Sequence, residues 1–168
     1  MIIRQENAED FSRIYELVKV AFQTAEVTSG QEQELVGKLR NSANYIPELA
    51  LVAEENGELL GHIMLTRTLV VDGDRKAEVL FLGPISVVEK YRRRGIGSAL
   101  MRQSLKLAGE LGYEAVVLVG NPAYYYRFGF KTSADWGIRH VLDIPAQFVM
   151  ACELVPDALK NVRGAFEC

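Results

Sequence analysis

The chain has 168 residues, 49% of them apolar and 24% charged, which is typical of a soluble globular protein and excludes a disordered or fibrous one. The 19 Lys and Arg residues against 22 Asp and Glu give a net charge of −3, so we expect no general attraction to nucleic acid or to an anionic membrane. This length predicts a single domain over residues 1–168.

The cysteines and the start of the chain predict a cytoplasmic protein. Cys152 and Cys168 are too few for a disulfide framework and lack the spacing of metal ligands, so no metal is expected. Residues 1–6 contain neither a long apolar core nor a cleavage site, and no window approaches the roughly 18 apolar residues of a membrane span. Cys152 is expected to be a buried apolar residue, and Cys168 a terminal one.

The first elements in the chain are a short strand and two helices. The strand is predicted at residues 2–4, and Asn7 and Asp10 are suited to cap the helix that follows. The apolar residues of this helix recur at helical spacing: Phe11, Ile14, Tyr15, Val18, Ala21 and Phe22. A second helix is predicted over about residues 31–39.

A β-hairpin is predicted after the helices. Residues 49–53 form an apolar run, residues 55–58 supply turn chemistry, and residues 59–71 return as a long strand. The Asp-Gly-Asp sequence at residues 72–74 predicts a second turn.

The middle of the chain has the order of a βαβ unit. A strand is predicted over residues 79–88, a helix over 95–111, and a strand over 115–119. The last strand is apolar without alternation, as expected for a parallel strand covered on both faces. Gly112 is suited to end the helix.

The remaining patterns complete the prediction of fold class. A short helix is expected at residues 122–128, a strand at 130–132 and a final strand near 148–154, whereas residues 133–147 show no regular pattern. We therefore predict an α/β (α+β) fold with a mixed, mostly antiparallel sheet, flanked by helices and containing the central βαβ unit.

The loop that enters the helix of this unit has the composition of an anion site. Residues 90–98 read Lys-Tyr-Arg-Arg-Arg-Gly-Ile-Gly-Ser. The first amides of a helix have no internal acceptor and lie at the positive end of its dipole. Gly95 and Gly97 let a ligand approach the backbone, and the arginines add positive charge. The expected ligand group is a diphosphate.

Two nucleotide-binding motifs do not fit this loop. A Walker loop requires Gly-x-x-x-x-Gly-Lys-Ser/Thr, which the sequence lacks. A dinucleotide fingerprint requires a third glycine where Leu100 stands and an acidic residue where Gly120 stands.

The run Arg92-Arg93-Arg94-Gly95-Ile96-Gly97 resembles the Gln/Arg-x-x-Gly-x-Gly/Ala signature of the GCN5-related N-acetyltransferases (GNAT). The resemblance extends to the βαβ context, to Asn121 at the end of the following strand, and to the Tyr-Tyr-Arg-Phe-Gly-Phe sequence of residues 125–130. Residues 79–130 look closest to the bacterial YhbS-like branch of this family.

The resemblance implies that acetyl-CoA is bound where the two parallel strands of the unit splay apart. The first strand then leaves backbone groups for the pantetheine arm, and Gly83-Pro84 is independently suited to interrupt strand pairing. The implied cofactor-binding residues lie on this strand, on the loop and after the next strand: Ile85, Ser86, Val87, Arg92, Arg93, Arg94, Gly95, Ile96, Gly97, Ser98, Asn121 and Tyr124.

The resemblance also implies transfer of the acetyl group to a primary amine. Tyr125, four residues before Gly129, stands where the family places its general-acid tyrosine. Because a tyrosine has a pKa of about 10 and a thiol about 8.5, full proton transfer is uphill by about 2 kcal/mol, and we expect hydrogen-bond donation to be most of its role. Tyr124 and Tyr126 are alternatives, since neighbouring helical residues point in different directions.

The sequence identifies neither the general base that takes the amine proton nor the acceptor substrate. The candidate bases are a water molecule or one of four carboxylates: Glu26, Glu32, Glu34 and Glu78. His62 and His140 receive no role, because a lone histidine is more often structural. We expect residues 23–30 and 133–147 to select the acceptor, a small-molecule or protein amine.

Two alternatives come from other functional classes. One is a module that senses acyl-CoA without catalysis, and the other is an enzyme that acylates hydroxyls or uses a longer acyl chain. Many members of the family pair through their C-terminal strands, so the resemblance also allows a homodimer.

Overall fold

The computed structural model describes residues 1–167, and Cys168 lies outside the described residues. The strands and helices follow in chain order: β1 (Ile2–Gln5), α1 (Phe11–Ala21), α2 (Glu32–Arg40), β2 (Tyr45–Glu55), β3 (Glu58–Asp72), β4 (Arg75–Val87), α3 (Ile96–Glu110), β5 (Ala115–Val119), α4 (Pro122–Tyr125), β6 (Lys131–Thr132), β7 (Ile138–His140), β8 (Val149–Glu153) and β9 (Gly164–Phe166). No helix in this described part is long and apolar enough to cross a bilayer.

The strands form a mixed, mostly antiparallel sheet, which confirms the predicted fold class. The main strand order is β1-β2-β3-β4-β5-β8-β6, with β9 paired to both β3 and β7. Strands β4 and β5 are parallel, with Leu80 opposite Val116 and Phe81 opposite Val117. Strand β8 then runs antiparallel to β5 along its whole length. The predicted βαβ unit is therefore present as β4, α3 and β5.

The contacts of the chain divide it into two compact units. The first unit comprises Met1–Thr66 and Gly83–Leu107, and the second comprises Arg67–Leu82 with the described part of Ala108–Cys168. Strands β3 and β4 and helix α3 each continue along the chain from one unit into the other. A single domain over residues 1–168 stays a prediction.

The core of the first unit forms where the apolar faces of α1 and α2 meet strands β2 and β3. Its buried members are Ile14, Leu17, Val18, Val36, Leu39, Ala50, Val52, Leu59 and Met64. Helix α1 begins after a 3-10 turn that Asn7 caps through a capping box with Asp10, as the sequence predicted. Arg4 supports this start, because its guanidinium donates to both Asp10 oxygens at 2.7 and 3.0 Å.

A buried polar cluster lies in the same unit, centred on Glu6. Arg40 donates to its two oxygens at 2.6 and 2.9 Å, and Tyr45 donates to Oε2 at 2.9 Å. His62 Nε2 lies 3.0 Å from Oε1, and both side chains are fully buried. Burial by itself would raise the pKa of Glu6, but the hydrogen bonds from Arg40 and His62 outweigh it and the pKa falls to about 2.

Gly61 is a point of close approach between β3 and its neighbours in the first unit. A Cβ atom at this position would lie 2.9 Å from both the Ser86 carbonyl oxygen and Leu100 Cδ1, and 3.3 Å from Ile96 Cγ2. Glycine here therefore lets the beginning of α3 pack directly on β3. The short distance between this helix and the strand depends on the absence of a side chain at residue 61.

We expect Gly61→Ala to lower the free energy of unfolding by about 1–3 kcal/mol, because the backbone oxygen of Ser86 cannot move aside as a flexible side chain would. Urea denaturation would measure the loss. Gly37→Ala on α2 is the matched control, since a Cβ there meets no atom within 4 Å and alanine favours helix. Equal denaturation midpoints for the two variants would contradict the close approach.

The second unit has its own aromatic and aliphatic core. Strand β5 is buried between β4 and β8, and Phe130 and Phe166 are among the largest fully buried side chains. The Phe166 ring lies 6.4 Å from that of Phe81 and meets the ring of His140 edge-on at 5.1 Å. Cys152 is buried, as predicted.

The structure corrects the sequence prediction mainly at the C-terminal end. Residues 133–147, predicted to be irregular, contain β7, and a further strand, β9, follows the strand predicted to be the last. Each of these strands spans three residues, which is too short for an alternating pattern to be recognised. Strand β4 also begins at Arg75 rather than at residue 79, because the exposed start of the strand is polar.

Candidate functional site

The loop between β4 and α3 curls tightly before the helix. A 3-10 turn covers Glu89–Tyr91, and both Arg93 and Gly95 have positive φ values, +67° and +83°. The first intrahelical bond of α3 runs from Ala99 N to Gly95 O at 3.0 Å. The amides of the three preceding residues are therefore outside the helix's own bonding, at the positive end of its dipole. Backbone curled in this way is typical of the concave sites that bind anions.

The space above the loop is compatible with a diphosphate. A Cβ atom built at Gly95 meets nothing within 4 Å, so this position faces open space. Glycine is favoured there because of its positive φ, which L side chains rarely adopt. Together with the leading amides of α3, the opening gives a phosphate group both donors and clearance.

The three arginines of the loop have different surroundings. The Arg92 guanidinium donates to Val87 O at 3.3 Å, to Thr24 Oγ1 at 3.1 Å and to Ala21 O at 3.0 Å. It therefore fastens the loop to β4 and to the end of α1. Three of the five guanidinium N–H donors of Arg92 are thus used within the protein, which leaves this implied cofactor-binding residue less free to turn to a phosphate than its two neighbours.

Arg93 and Arg94 are the arginines that remain for an anion. Arg93 makes no hydrogen bond or ion pair with any residue of the described chain, and it is exposed. Arg94 lies over the ring of Tyr91 at 5.3 Å and reaches Glu55 only at 4.0 Å, with a side chain 52% exposed. An exposed pair at this distance contributes little, so the cation can turn to another partner.

Strand β4 carries the other candidate residues of the first unit. Ile85 and Val87 are half-buried, and Ser86 is buried with a hydroxyl that has no partner within residues 1–167. The registered pairing of β4 with β5 covers Leu80 and Phe81, before Pro84. Pro84 thus stands beyond the paired residues, where the sequence predicted an interruption.

In the second unit, α4 begins directly after β5. Asn121 Oδ1 accepts a hydrogen bond from Ala123 N at 3.0 Å, so this side chain caps the helix. The tyrosine rings that follow are packed on one another: Tyr124 meets Tyr125 edge-on at 5.0 Å and Phe128 at 5.5 Å. Arg127 also lies over the Tyr124 ring at 5.1 Å.

Tyr125 combines a firmly packed ring with an available hydroxyl. The ring lies against Gly120 and meets the buried Phe130 at 5.9 Å. Within the described residues its hydroxyl has no hydrogen-bond partner. Burial, and to a smaller extent Tyr124, raises the pKa of Tyr125, so the hydroxyl stays protonated and can donate. Tyr126, by contrast, is 57% exposed.

Two of the four candidate bases have structural partners. The Glu32 carboxylate accepts hydrogen bonds from Thr28 Oγ1 and from the backbone and hydroxyl of Ser29. These contacts tie the connection between α1 and α2 to the start of α2. Glu34 accepts a hydrogen bond from Tyr15 at 2.5 Å.

The other two candidate bases lie on β4 and in the connection between α1 and α2. Glu78 is exposed on β4, and Glu26 lies in the connection before α2. Among residues 1–167, no group of three His, Cys, Asp or Glu side chains is arranged to hold a metal ion.

A cavity of about 350 Å³ lies in the second unit, in the segment expected to select the acceptor. It is lined from the turn after β6 through β7 to the start of β8, and four of its lining residues are polar: Ser133, Arg139, His140 and Asp143. Sequence reasoning placed selectivity in this segment but missed the cavity. It also missed Gly120, although a glycine between an apolar strand and an Asn-Pro helix start is a usable signal of close approach.

Comparisons with known proteins identify the family of this chain. A sequence model described as an acetyltransferase (GNAT) domain matches residues 2–133. The chain is 32% identical to the uncharacterized N-acetyltransferase YhbS of Escherichia coli K12 over 168 residues, which covers 99% of this chain and 95% of YhbS. The chain therefore belongs to the GNAT family of acetyltransferases.

Two solved structures extend the comparison. Escherichia coli YhbS in complex with CoA superposes with a TM-score of 0.83 and 29% identity, over 99% of this chain and 88% of that one. A GNAT family acetyltransferase from Brucella melitensis, in complex with acetyl-CoA, gives a TM-score of 0.79 and 30% identity over 98% and 93% of the two chains. The family and the YhbS-like resemblance predicted from the loop motif are confirmed.

Proposed function

We propose that this protein transfers the acetyl group of acetyl-CoA to a primary amine. The observation that carries the proposal is the curled loop at the start of α3, with positive φ at Arg93 and Gly95 and open space above it. The relatives from Escherichia coli and Brucella melitensis, solved with CoA and acetyl-CoA, support the choice of ligand.

The proposed contacts to the cofactor are of two kinds, those to the diphosphate and those to the pantetheine arm. The amides of residues 93–98 take the diphosphate, assisted by the Arg93 and Arg94 side chains, and the main chain of Ile85 and Val87 pairs with the amides of the pantetheine arm. Arg92 acts by holding the loop. Contacts from Ser86, Asn121 and Tyr124 remain part of the proposal, as does the splaying of β4 from β5.

The reaction forms a bond between the amine nitrogen and the acetyl carbon and breaks the bond between that carbon and sulfur. The amine loses a proton and the sulfur leaves as a thiolate that must be stabilised. Backbone amides of the β4 strand at Ile85 or Val87 donate to the oxygen that gains negative charge. Tyr125 donates a hydrogen bond to the thiolate, and its raised pKa favours donation over complete proton transfer.

The acceptor is a small-molecule or protein amine, selected by residues 23–30 and by the segment that lines the cavity before β8. Water or one of the four candidate carboxylates takes the amine proton: Glu26, Glu32, Glu34 or Glu78. A cytoplasmic location is part of the proposal, as is the option of a homodimer.

Calorimetry with acetyl-CoA, followed by thiol release with a panel of amines, tests the proposal. We expect heat of binding, a raised melting temperature and release of CoA with at least one amine. Binding without release for any amine would favour the sensor, and release with alcohols alone would favour a hydroxyl acceptor. Absence of both heat and release would overturn the proposal.

Tyr125→Phe is expected to lower kcat by about 10- to 100-fold, since the leaving thiolate loses its donor while the ring and its packing are kept. The Kd of acetyl-CoA should stay within about twofold, because no cofactor contact is removed. Steady-state kinetics of thiol release and calorimetry measure the two quantities. Tyr126→Phe, at the exposed neighbouring position, should change neither kcat nor Kd. An equal loss of kcat in that variant would mean that the donating role had been assigned to the wrong tyrosine.

A further inference from the structure

The Tyr125 ring packs directly against the backbone of Gly120, the residue that follows β5. A Cβ atom built at Gly120 would lie 2.5 Å from Tyr125 Cε2 and 3.3 Å from both Cδ2 and Cζ. All three are atoms of the ring, and Cζ is the carbon that carries the hydroxyl. Real Cβ atoms essentially never approach other heavy atoms within 3.0 Å, so any side chain at residue 120 must displace this ring.

The need for glycine at this position comes from clearance rather than from backbone conformation. Eight glycines of the described chain have positive φ, and Gly120 is not among them. The backbone at residue 120 is therefore outside the left-handed region that favours glycine. The obstacle to a side chain is the Tyr125 ring, which supplies all three of the nearest contacts of the built Cβ.

Neither partner can easily move away from the other. Gly120 N donates to Phe148 O at 2.8 Å, which ties this backbone to the residue before β8. The Tyr125 ring also meets Tyr124 edge-on at 5.0 Å and the buried Phe130 at 5.9 Å. The ring packs against Gly120 and against these two rings, so its orientation depends on the absence of a Cβ at residue 120.

We propose that Gly120 is a positioning residue for acetyl transfer, which holds the Tyr125 hydroxyl in its donating orientation by leaving room for the ring. This inference rests on the proposed role of Tyr125. A displacement of about 1 Å at a catalytic group is enough to cost on the order of 100-fold in rate. The single added methyl group of alanine therefore acts on turnover through Tyr125, without touching the substrate.

The test compares Gly120→Ala with Gly37→Ala, whose Cβ meets nothing within 4 Å. We expect Gly120→Ala to lower kcat by about 10- to 100-fold and to leave the Kd of acetyl-CoA within about twofold, whereas the control keeps both. In the Tyr125→Phe background, Gly120→Ala should lower kcat by less than about twofold more, because the hydroxyl that it displaces is already absent. An unchanged kcat in the single variant, or an equal loss in both backgrounds, would overturn the proposal.

Two further measurements separate this proposal from the proposed function. The NMR shifts of the Tyr125 ring should change in Gly120→Ala and not in Gly37→Ala, whether or not any amine is acetylated; unchanged shifts would overturn the positioning role. If Gly120→Ala is too unstable for kinetics, adding Tyr125→Leu should restore the melting temperature, because leucine removes the ring that the methyl group meets. Failure of leucine to restore stability would count against the ring as the partner of residue 120.

Discussion

Gly97→Glu is expected to abolish detectable binding of acetyl-CoA, with a loss in affinity of at least about 100-fold, or about 3 kcal/mol. Gly97 is the second residue of α3, in the turn whose amides precede the helix's first internal bond. A glutamate there extends into the space proposed for the diphosphate. It also adds a negative charge where the loop must attract a negatively charged ligand. Isothermal titration calorimetry measures the loss.

Gly109→Glu supplies the matched control for this experiment. Gly109 lies in the last turn of the same helix, and a Cβ atom there meets nothing within 4 Å. The charge added to the protein is the same, but it lies far along α3 from the loop. We expect the Kd of acetyl-CoA to change by less than about threefold, since exposed charges beyond a Debye length are largely screened. Equal losses in the two variants would mean that net charge, rather than the loop, governs binding.

Glu6→Gln is expected to lower the free energy of unfolding by about 3–5 kcal/mol and the melting temperature by roughly 10 °C. The substitution removes the charge that faces Arg40, whose side chain is only 11% exposed, and disturbs the contacts to Tyr45 and His62. An unpaired buried cation is the main reason for the size of the loss. Chemical and thermal denaturation at pH 7 measure it, with the exposed Glu48→Gln as the control.

The same cluster predicts a dependence of stability on pH. Because the pKa of Glu6 in the folded protein is about 2, below its ordinary value of 4.5, this group stabilises the fold fully above about pH 4.5. Its contribution, about 3 kcal/mol, is lost as the pH falls from 4.5 toward 2. The loss between pH 5 and pH 2.5 should therefore be smaller in Glu6→Gln. Parallel curves for the two proteins would contradict the buried ion pair.

The sequence alone determined the family and the order of the central elements, and it predicted where the proposed anion site lies. These depend on local features: the apolar strand at residues 115–119, the helical spacing that follows Gly95, and a loop whose glycines and arginines lie next to one another in the chain. Local patterns of this kind survive folding, because the helix dipole and the backbone donors act within a few residues.

Only the tertiary structure decided which side chains of that motif are available. Arg92 looks equivalent to its two neighbours in the sequence, but it is bound to the end of α1, more than sixty residues earlier in the chain. Glu6 and His62 carried no signal, because each acquires its partner only when distant strands and α2 meet. The clearance that Gly120 gives Tyr125 also depends on how the helix turns back on β5. A one-dimensional pattern identifies groups that act through their neighbours in the chain, whereas contacts between distant segments are fixed by packing.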